Sequence, residues 1–175
     1  MTRTNFLHLR RNRIPRPNGF TLMELLIVMA IIAILTLIAI PTIGNMTRSG
    51  NEVSAIQSVK AIFTAETQYS TTFPANGFSC SLPALGGDPH SGTPTPTSAH
   101  MLDQGLATGV KSGYQFSITN CVKASQNGGD RVTGYTIIAQ PLTVGKTGNR
   151  TFCGDDGEIK VDPTGGTNCT QLLSQ

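Results

Sequence analysis

Residues 19–28 read GFTLMELLIV, and this stretch decides the fold because it joins a basic leader to a long apolar segment. The leader before it contains five arginines and no acidic residue. An ordinary secretory signal places its apolar stretch before the cleavage site. Here the apolar stretch follows Gly19, so a cut after this glycine would leave that stretch on the mature chain.

The apolar segment, residues 20–40, has the length of a membrane-spanning helix. As an α-helix its 21 residues would be about 31 Å long, close to a hydrocarbon core of roughly 30 Å. Pro41 follows and is expected to kink or interrupt a continuing helix. Because most nearby basic residues lie in the leader, the positive-inside bias predicts a cytoplasmic leader and places residues 41–175 outside.

Glu24 is the only charged residue of this segment. An ionised side chain in mid-membrane costs roughly 2.5–3.5 kcal/mol on insertion scales, and less near an interface. One interpretation is a snorkelling residue at the interface. The favoured interpretation is that Glu24 has a charged partner. Cleavage after Gly19 creates a free amine on Phe20, and Glu24 of a neighbouring chain can pair with this amine.

The quoted stretch resembles the class III leader and N-terminal helix of type IV pilins and the pilin-like pseudopilins, over residues 13–41. The resemblance implies that a membrane aspartyl prepilin peptidase cuts after Gly19 and methylates the new amine of Phe20. It also implies that Glu24 sets the register between subunits. The implied partners are identical or related pilin subunits, the prepilin peptidase, an inner-membrane assembly platform and membrane lipid.

In this organisation residues 1–19 are a cleaved leader and residues 20–41 a transmembrane or filament-core helix. Residues 42–73 are predicted to be the amphipathic half of the same long helix, with its regular part over about 51–72. Glu52 is expected to lie largely off the apolar face. That face is expected to pack on a globular head, and it carries Ala55, Val59, Ile62 and Tyr69.

The remainder of the chain is predicted to be a loop followed by a sheet. Residues 74–110 are interpreted as a long loop, of which 74–98 are rich in Pro, Gly, Ser and Thr. Cys80, Leu82 and Leu85 are expected to attach it to the domain, and Ser98 is expected to cap a short helix that ends near Leu106. Residues 111–175 are interpreted as an antiparallel β-sheet head. A long helix, a loop and a meander make the fold class α+β, and the resemblance implies the pilin fold. The predicted strands are 114–118, 135–139, 151–153 and 158–161.

Four cysteines are typical of a chain in an oxidising compartment. No pair has the close spacing typical of a zinc site, so disulfides are favoured. Three pairings are possible, and the sequence alone does not choose between them. The preferred hypothesis is Cys80–Cys121 and Cys153–Cys169, in which the second bond staples a tail that has no other visible anchor.

No residue pattern indicates catalysis, so neither an enzyme nor a cofactor is expected. The acidic turn of Asp155, Asp156 and Glu158 is the best candidate for Ca²⁺ binding, although an ordinary hairpin turn is the favoured interpretation. The formal charge is +3, but removal of the leader's five arginines leaves 13 − 5 = 8 basic against 10 acidic residues, or −2. No contact with nucleic acid is therefore expected.

The resemblance implies a structural function, as a pilin in a type IV pilus for adhesion, motility or DNA uptake. The precursor would be a single-pass protein of the inner membrane, and the filament would lie outside the cell. The alternative is a major-type pseudopilin of a type II secretion system, whose filament would be periplasmic. More distant alternatives are an uncleaved membrane-anchored binding domain and a secreted protein cleaved after the apolar run.

Overall fold

The computed structural model describes residues 19–88, 90, 92–126, 129–155 and 157–173, without the side chains of residues 38–42 and 126. The predictions on residues 1–18 and on Asp156 therefore fall outside the described residues. The chain divides into two units, residues 1–40 and residues 41–175. We call the first the N-terminal unit and the second the head.

Helix α1 (Leu22–Thr72) is continuous over 51 residues. It passes through Pro41, Gly44 and Gly50, so the predicted single long helix is confirmed, whereas an interruption of it at Pro41 is wrong. Proline removes one backbone donor, whereas the turns on either side keep their own hydrogen bonds. Isolated glycines lower helix propensity by only about 1 kcal/mol each, which is too little to end a helix of this length.

Within the N-terminal unit, α1 leaves every side chain from Thr21 to Leu37 exposed. These side chains are apolar on all sides of the helix, apart from a few polar positions such as Glu24. Judged by length and mean hydropathy, no helix in the described part of the chain qualifies to cross a membrane.

In the head, α1 buries one stripe of side chains that recur every three or four residues, as an α-helical face requires. The predicted apolar face is confirmed. Glu52 is also buried, which corrects the expectation that it lies off this face, because it precedes Ala55 by three residues and so shares its side of the helix. The stripe comprises Glu52, Ala55, Val59, Ile62, Glu66 and Tyr69.

The head's sheet is a six-stranded antiparallel meander in which each strand pairs with the next one along the chain. Its strands are β1 (Val110–Lys111), β2 (Tyr114–Gln126), β3 (Gly129–Pro141), β4 (Thr151–Asp155), β5 (Glu158–Asp162) and β6 (Gln171–Leu172). The four predicted strands correspond to β2–β5, and the α+β class is confirmed. Two-residue strands carry no alternation, which is why β1 and β6 have no sequence signal.

Strand β6 anchors the C-terminal tail on the sheet. Leu172 pairs with Lys160, and the backbone N–H of Leu173 donates to the carbonyl of Ile159 at 3.0 Å. The tail therefore has an attachment besides a disulfide, which corrects the expectation of no other anchor.

The segment between helix and sheet is folded rather than a plain loop. It contains two one-turn helices, α2 (Leu82–Leu85) and α3 (Gln104–Ala107). The backbone N–H groups of Ala99 and Met101 donate to the carbonyls of Ala84 and Leu85, both at 2.8 Å. Leu82 and Leu85 are buried and Cys80 is bonded to Cys121, so the predicted attachment of this segment to the domain is confirmed. The predicted short helix is present as α3, although its N-cap is Asp103 rather than Ser98, and α2 was not predicted.

Both disulfides have the preferred pairing. Cys80 joins Cys121, with Cα atoms 6.2 Å apart, and Cys153 joins Cys169, with Cα atoms 6.0 Å apart. The first connects the segment after α1 to β2, and the second connects the tail to β4. Such bonds typically stabilise a small domain by about 2–4 kcal/mol each, which is a large share for a head of this size.

Candidate functional site

The junction at the start of α1 is an exposed, non-helical peptide segment. Gly19 and Phe20 lie before the first helical residue, and both are exposed, Phe20 to 90%. A side chain at residue 19 would meet no atom within 4 Å. No contact among the described residues therefore requires a glycine at position 19. This favours a requirement that another molecule sets.

Glu24 and Thr21 form a reciprocal cap on the first turn of α1. Oε2 of Glu24 accepts from the backbone N–H of Thr21 at 2.9 Å and from its hydroxyl at 2.8 Å. The backbone N–H of Glu24 donates to Oγ1 of Thr21 at 3.2 Å. This is the capping box, which satisfies backbone donors that have no partner inside the helix.

The capping box was missed in the analysis of the sequence, although its signal is present. Thr21 is followed three residues later by Glu24 and then by an apolar run, which is the sequence signature of this cap. The cap fixes one carboxylate oxygen, Oε2, and leaves Oε1 without a hydrogen bond from any described residue. Glu24 therefore presents a carboxylate in the first turn of the apolar helix. Its Oε2 is fixed by Thr21, and its Oε1 remains able to accept a hydrogen bond.

The apolar surface that follows the cap is extensive. Among its largest exposed side chains, Leu22 is 82% and Leu37 75% exposed, and those between them are exposed to about half or more. A helix that is apolar on all sides is normally buried in protein or lipid. Each large apolar side chain gains about 1.5–3 kcal/mol on full burial, so the sum over this surface strongly favours covering it.

The head holds two buried glutamates, both on the stripe of α1. Glu52 accepts from the Arg150 side chain, at 2.9 Å from Nε and 2.7 Å from Nη2, and from the backbone N–H of Asn149 at 2.9 Å. Glu66 is fully buried, and its Oε2 accepts from the backbone N–H of Ser79 at 2.7 Å. Burial raises the pKa of Glu66 above its usual value.

The acidic turn is engaged within the sheet. Oδ2 of Asp155 lies 3.6 Å from Nζ of Lys160, and Asp155 pairs with Glu158 across the β4–β5 hairpin. Among the described residues, no group of three or more His, Cys, Asp or Glu side chains could hold a metal ion. The calcium hypothesis also needs Asp156, which lies outside the described residues, and it stays a prediction.

Comparison with known families identifies the N-terminal region. Residues 15–40 match the family model of the prokaryotic N-terminal methylation motif, which is typical of the class III leader of type IV pilins and pseudopilins. Proteins of the pilin family are structural rather than enzymatic. No curated protein and no solved structure that was compared matches the chain. The chain thus carries the methylation motif on a pilin-like α+β fold, and the motif includes Gly19, Phe20 and Glu24.

Proposed function

We propose that this chain is a structural subunit of a type IV pilus. The precursor is held in the inner membrane by residues 20–41, with the leader in the cytoplasm and the head outside. Prepilin peptidase cuts after Gly19 and the new amine of Phe20 is methylated. The mature chain then assembles with identical or related subunits on an inner-membrane platform, and the filament serves adhesion, motility or DNA uptake.

The single observation that carries this proposal is the uncovered apolar surface of α1 over residues 22–37. In the precursor, lipid covers this surface. In a filament, the equivalent surfaces of other subunits cover it instead. The exchange costs little hydrophobic free energy because both surroundings are apolar, so small packing and polar terms decide whether subunits associate.

Glu24 supplies the polar interaction that favours association of the subunits. Its Oε2 is held by Thr21, and its Oε1 has no hydrogen bond within the described residues. Cleavage after Gly19 places a positively charged amine on Phe20, and Oε1 can accept from that amine on a neighbouring subunit. A charged pair in an apolar surrounding is strongly favoured over two separate charges, so one stagger between neighbours is selected.

The head is suited to the outer surface of such a filament. Its two disulfides match an oxidising exterior, and the helix stripe and meander bury a core of their own. A contact that joins different faces of successive subunits does not close on itself and generates an open helical filament. Surface segments of the head then face the environment and determine what the filament binds.

The experiment that tests the proposal is immunogold labelling, with antibody against the head, of intact cells and of filaments sheared from them. Labelled surface filaments that disappear when the gene for this chain is deleted support the pilus. Filaments confined to the periplasm, together with loss of protein secretion on deletion, would instead identify a type II secretion pseudopilus. Label spread over the membrane without filaments would contradict both assignments.

A further inference from the structure

The peptide bond between Gly19 and Phe20 lies just outside the first turn of α1. Gly19, Phe20 and Thr21 are not helical, and the helix begins at Leu22. The carbonyls of Gly19 and Phe20 accept no hydrogen bond from a described residue, whereas that of Thr21 accepts from the N–H of Leu25 at 3.3 Å. The helix boundary therefore leaves the bond that the proposed cleavage breaks free of helical hydrogen bonds.

The capping box sets this boundary through individual atoms. In a helix that included Phe20, the backbone N–H of Glu24 would donate to the carbonyl of Phe20, four residues earlier. Here that N–H donates to Oγ1 of Thr21 at 3.2 Å instead. The N–H of Thr21 is also occupied, because it donates to Oε2 of Glu24 at 2.9 Å. The Thr21 side chain therefore diverts the donor that would extend the helix over Phe20.

Hydrolysis of this bond needs an accessible carbonyl group on Gly19. The oxygen of a water molecule bonds to the carbonyl carbon, the C–N bond breaks, and the nitrogen of Phe20 takes up both protons of the water. The products are the carboxylate of Gly19 and the charged amine of Phe20. Negative charge develops on the carbonyl oxygen during the attack, and a peptidase must reach this oxygen with its own donors. A carbonyl that already accepts a helical hydrogen bond is less available to those donors.

The hydroxyl of Thr21 is used within its own chain. It donates to Oε2 of Glu24 at 2.8 Å and accepts from the backbone N–H of Glu24 at 3.2 Å. Its one proton is therefore not available to a second protein while the cap is formed. These contacts favour an effect of Thr21 on the backbone conformation at the cleavage site over recognition of its hydroxyl by the peptidase.

We propose that Thr21 is a positioning residue for cleavage, because the capping box holds the Gly19–Phe20 bond outside the helix in a form that the peptidase can bind. This inference rests on the proposed function, in which prepilin peptidase cuts after Gly19. An N-cap residue typically has an extended backbone, and fixing Thr21 in that form lowers the conformational entropy lost on binding. Without the cap, the first turn exchanges between helical and frayed states, so a smaller fraction of chains presents the bond correctly.

Substitutions at residue 21 separate capping from direct recognition of the side chain. Full-length precursor in micelles is incubated with purified prepilin peptidase, and electrophoresis of the leader-free product gives kcat/KM. Thr21→Val keeps the shape of threonine but removes the cap, so kcat/KM should fall by about fivefold, the factor expected for loss of a typical N-cap. Thr21→Ser and Thr21→Asn supply capping groups and should remain within about twofold of the wild type.

A second set of variants supplies the helix boundary without the hydroxyl. Proline is favoured at the first helical position and holds the residue before it out of the helical conformation. In a Leu22→Pro background, Thr21→Val should therefore change kcat/KM by less than about twofold. Glu24→Ala keeps the hydrogen bond from the backbone N–H of residue 24 to Oγ1 of Thr21, so it should be cleaved faster than Thr21→Val.

The results that overturn this inference differ from those that overturn the proposed function. Normal cleavage of Thr21→Val together with slow cleavage of Thr21→Asn would show that the peptidase recognises side-chain shape, and equal cleavage of all variants would show that the cap has no effect. Either result would overturn the positioning role of Thr21 and leave the proposed function standing. A wild-type precursor that the peptidase does not cleave would overturn both together.

Discussion

Thr21 and Glu24 hold each other at the first turn of α1: one carboxylate oxygen of Glu24 accepts both the hydroxyl and the backbone N–H of Thr21, at 2.8 and 2.9 Å. In the proposed assembly, the glutamate is thus fixed before a second subunit arrives. Fixing it lowers the entropy lost when Oε1 pairs with a charged amine. In the proposed assembly, the capping box therefore connects helix formation in one subunit with recognition between subunits.

Replacement of Thr21 by valine should loosen this turn. Valine keeps the shape of threonine but removes both hydroxyl hydrogen bonds, and loss of an N-cap typically costs about 1 kcal/mol. Hydrogen exchange of the amides of residues 22–25 in the full chain should become about fivefold faster. Thr21→Ser keeps the hydroxyl and is the matched control. Equal exchange in the valine variant and the wild type would show that the cap does not hold the turn.

Glu24→Ala should separate cleavage from assembly. The substitution leaves Gly19 and Phe20 in place, so the leader should still be removed. The variant should be absent from sheared filaments or reduced in them by more than tenfold, because the amine of Phe20 loses its counter-charge in an apolar surrounding. Immunoblots of membrane and filament fractions measure both steps. Normal incorporation of Glu24→Ala would contradict the pairing.

Glu52→Ala should destabilise the head by about 1–3 kcal/mol, because it leaves the backbone N–H of Asn149 and the partly buried guanidinium of Arg150 without their acceptor. Chemical denaturation of the full chain in micelles, followed by circular dichroism, gives the change. Lys160→Ala is the control, since its pair with Asp155 is 3.6 Å long and partly exposed, and about 0–1 kcal/mol is expected. Equal effects of the two substitutions would contradict a structural role for Glu52.

Glu66 should make the head less stable as the pH rises. Burial raises its folded-state pKa, while the hydrogen bond from the backbone N–H of Ser79 opposes this. The contribution of Glu66 to the free energy of unfolding is fully present below the unfolded pKa of 4.5. It is lost as the pH rises through the higher folded-state pKa. Glu66→Gln stays uncharged, so its stability relative to the wild type should increase with pH over this window.

Asp162 changes stability in the opposite direction, so the difference between the wild type and Glu66→Gln is the quantity to measure. The hydroxyl and backbone N–H of Thr164, together with the N–H of Asn168, hold the pKa of Asp162 below its usual value. Its contribution is present above the unfolded pKa and is lost as the pH falls. Denaturation of both proteins from about pH 4 to about pH 8 isolates Glu66, and a constant difference would show that it does not titrate there.

The long helix and the central strands were predictable because their periodicities are strong. Ala55, Val59, Ile62 and Tyr69 show the helical spacing, and the predicted strands coincide with β2–β5. Glu52 and Glu66 have the same spacing as those apolar residues. Charge is typical of surface positions, but Glu52 is buried with a salt bridge to Arg150, and Glu66 is buried with a hydrogen bond from the backbone N–H of Ser79.

The cluster of three aromatic rings beside the sheet could not be predicted, because its residues come together only in the folded head. Phe63 lies on α1, Phe78 in the segment between α1 and α2, and Tyr135 on β3. The close approach of Phe63 to β4 depends on Gly154, which in the sequence is only a glycine within a short strand. The two short strands β1 and β6 likewise depend on pairing with β2 and β5 rather than on their own residues.

The central claim is that the chain is cut at Gly19 to create the amine that Glu24 recognises. The most direct measurement is mass spectrometry of the N-terminal peptide from native membranes and from sheared filaments. The account predicts a peptide that begins at Phe20 and carries one added methyl group, in both fractions. A peptide that begins at Met1, or one that begins after residue 40, would contradict the account.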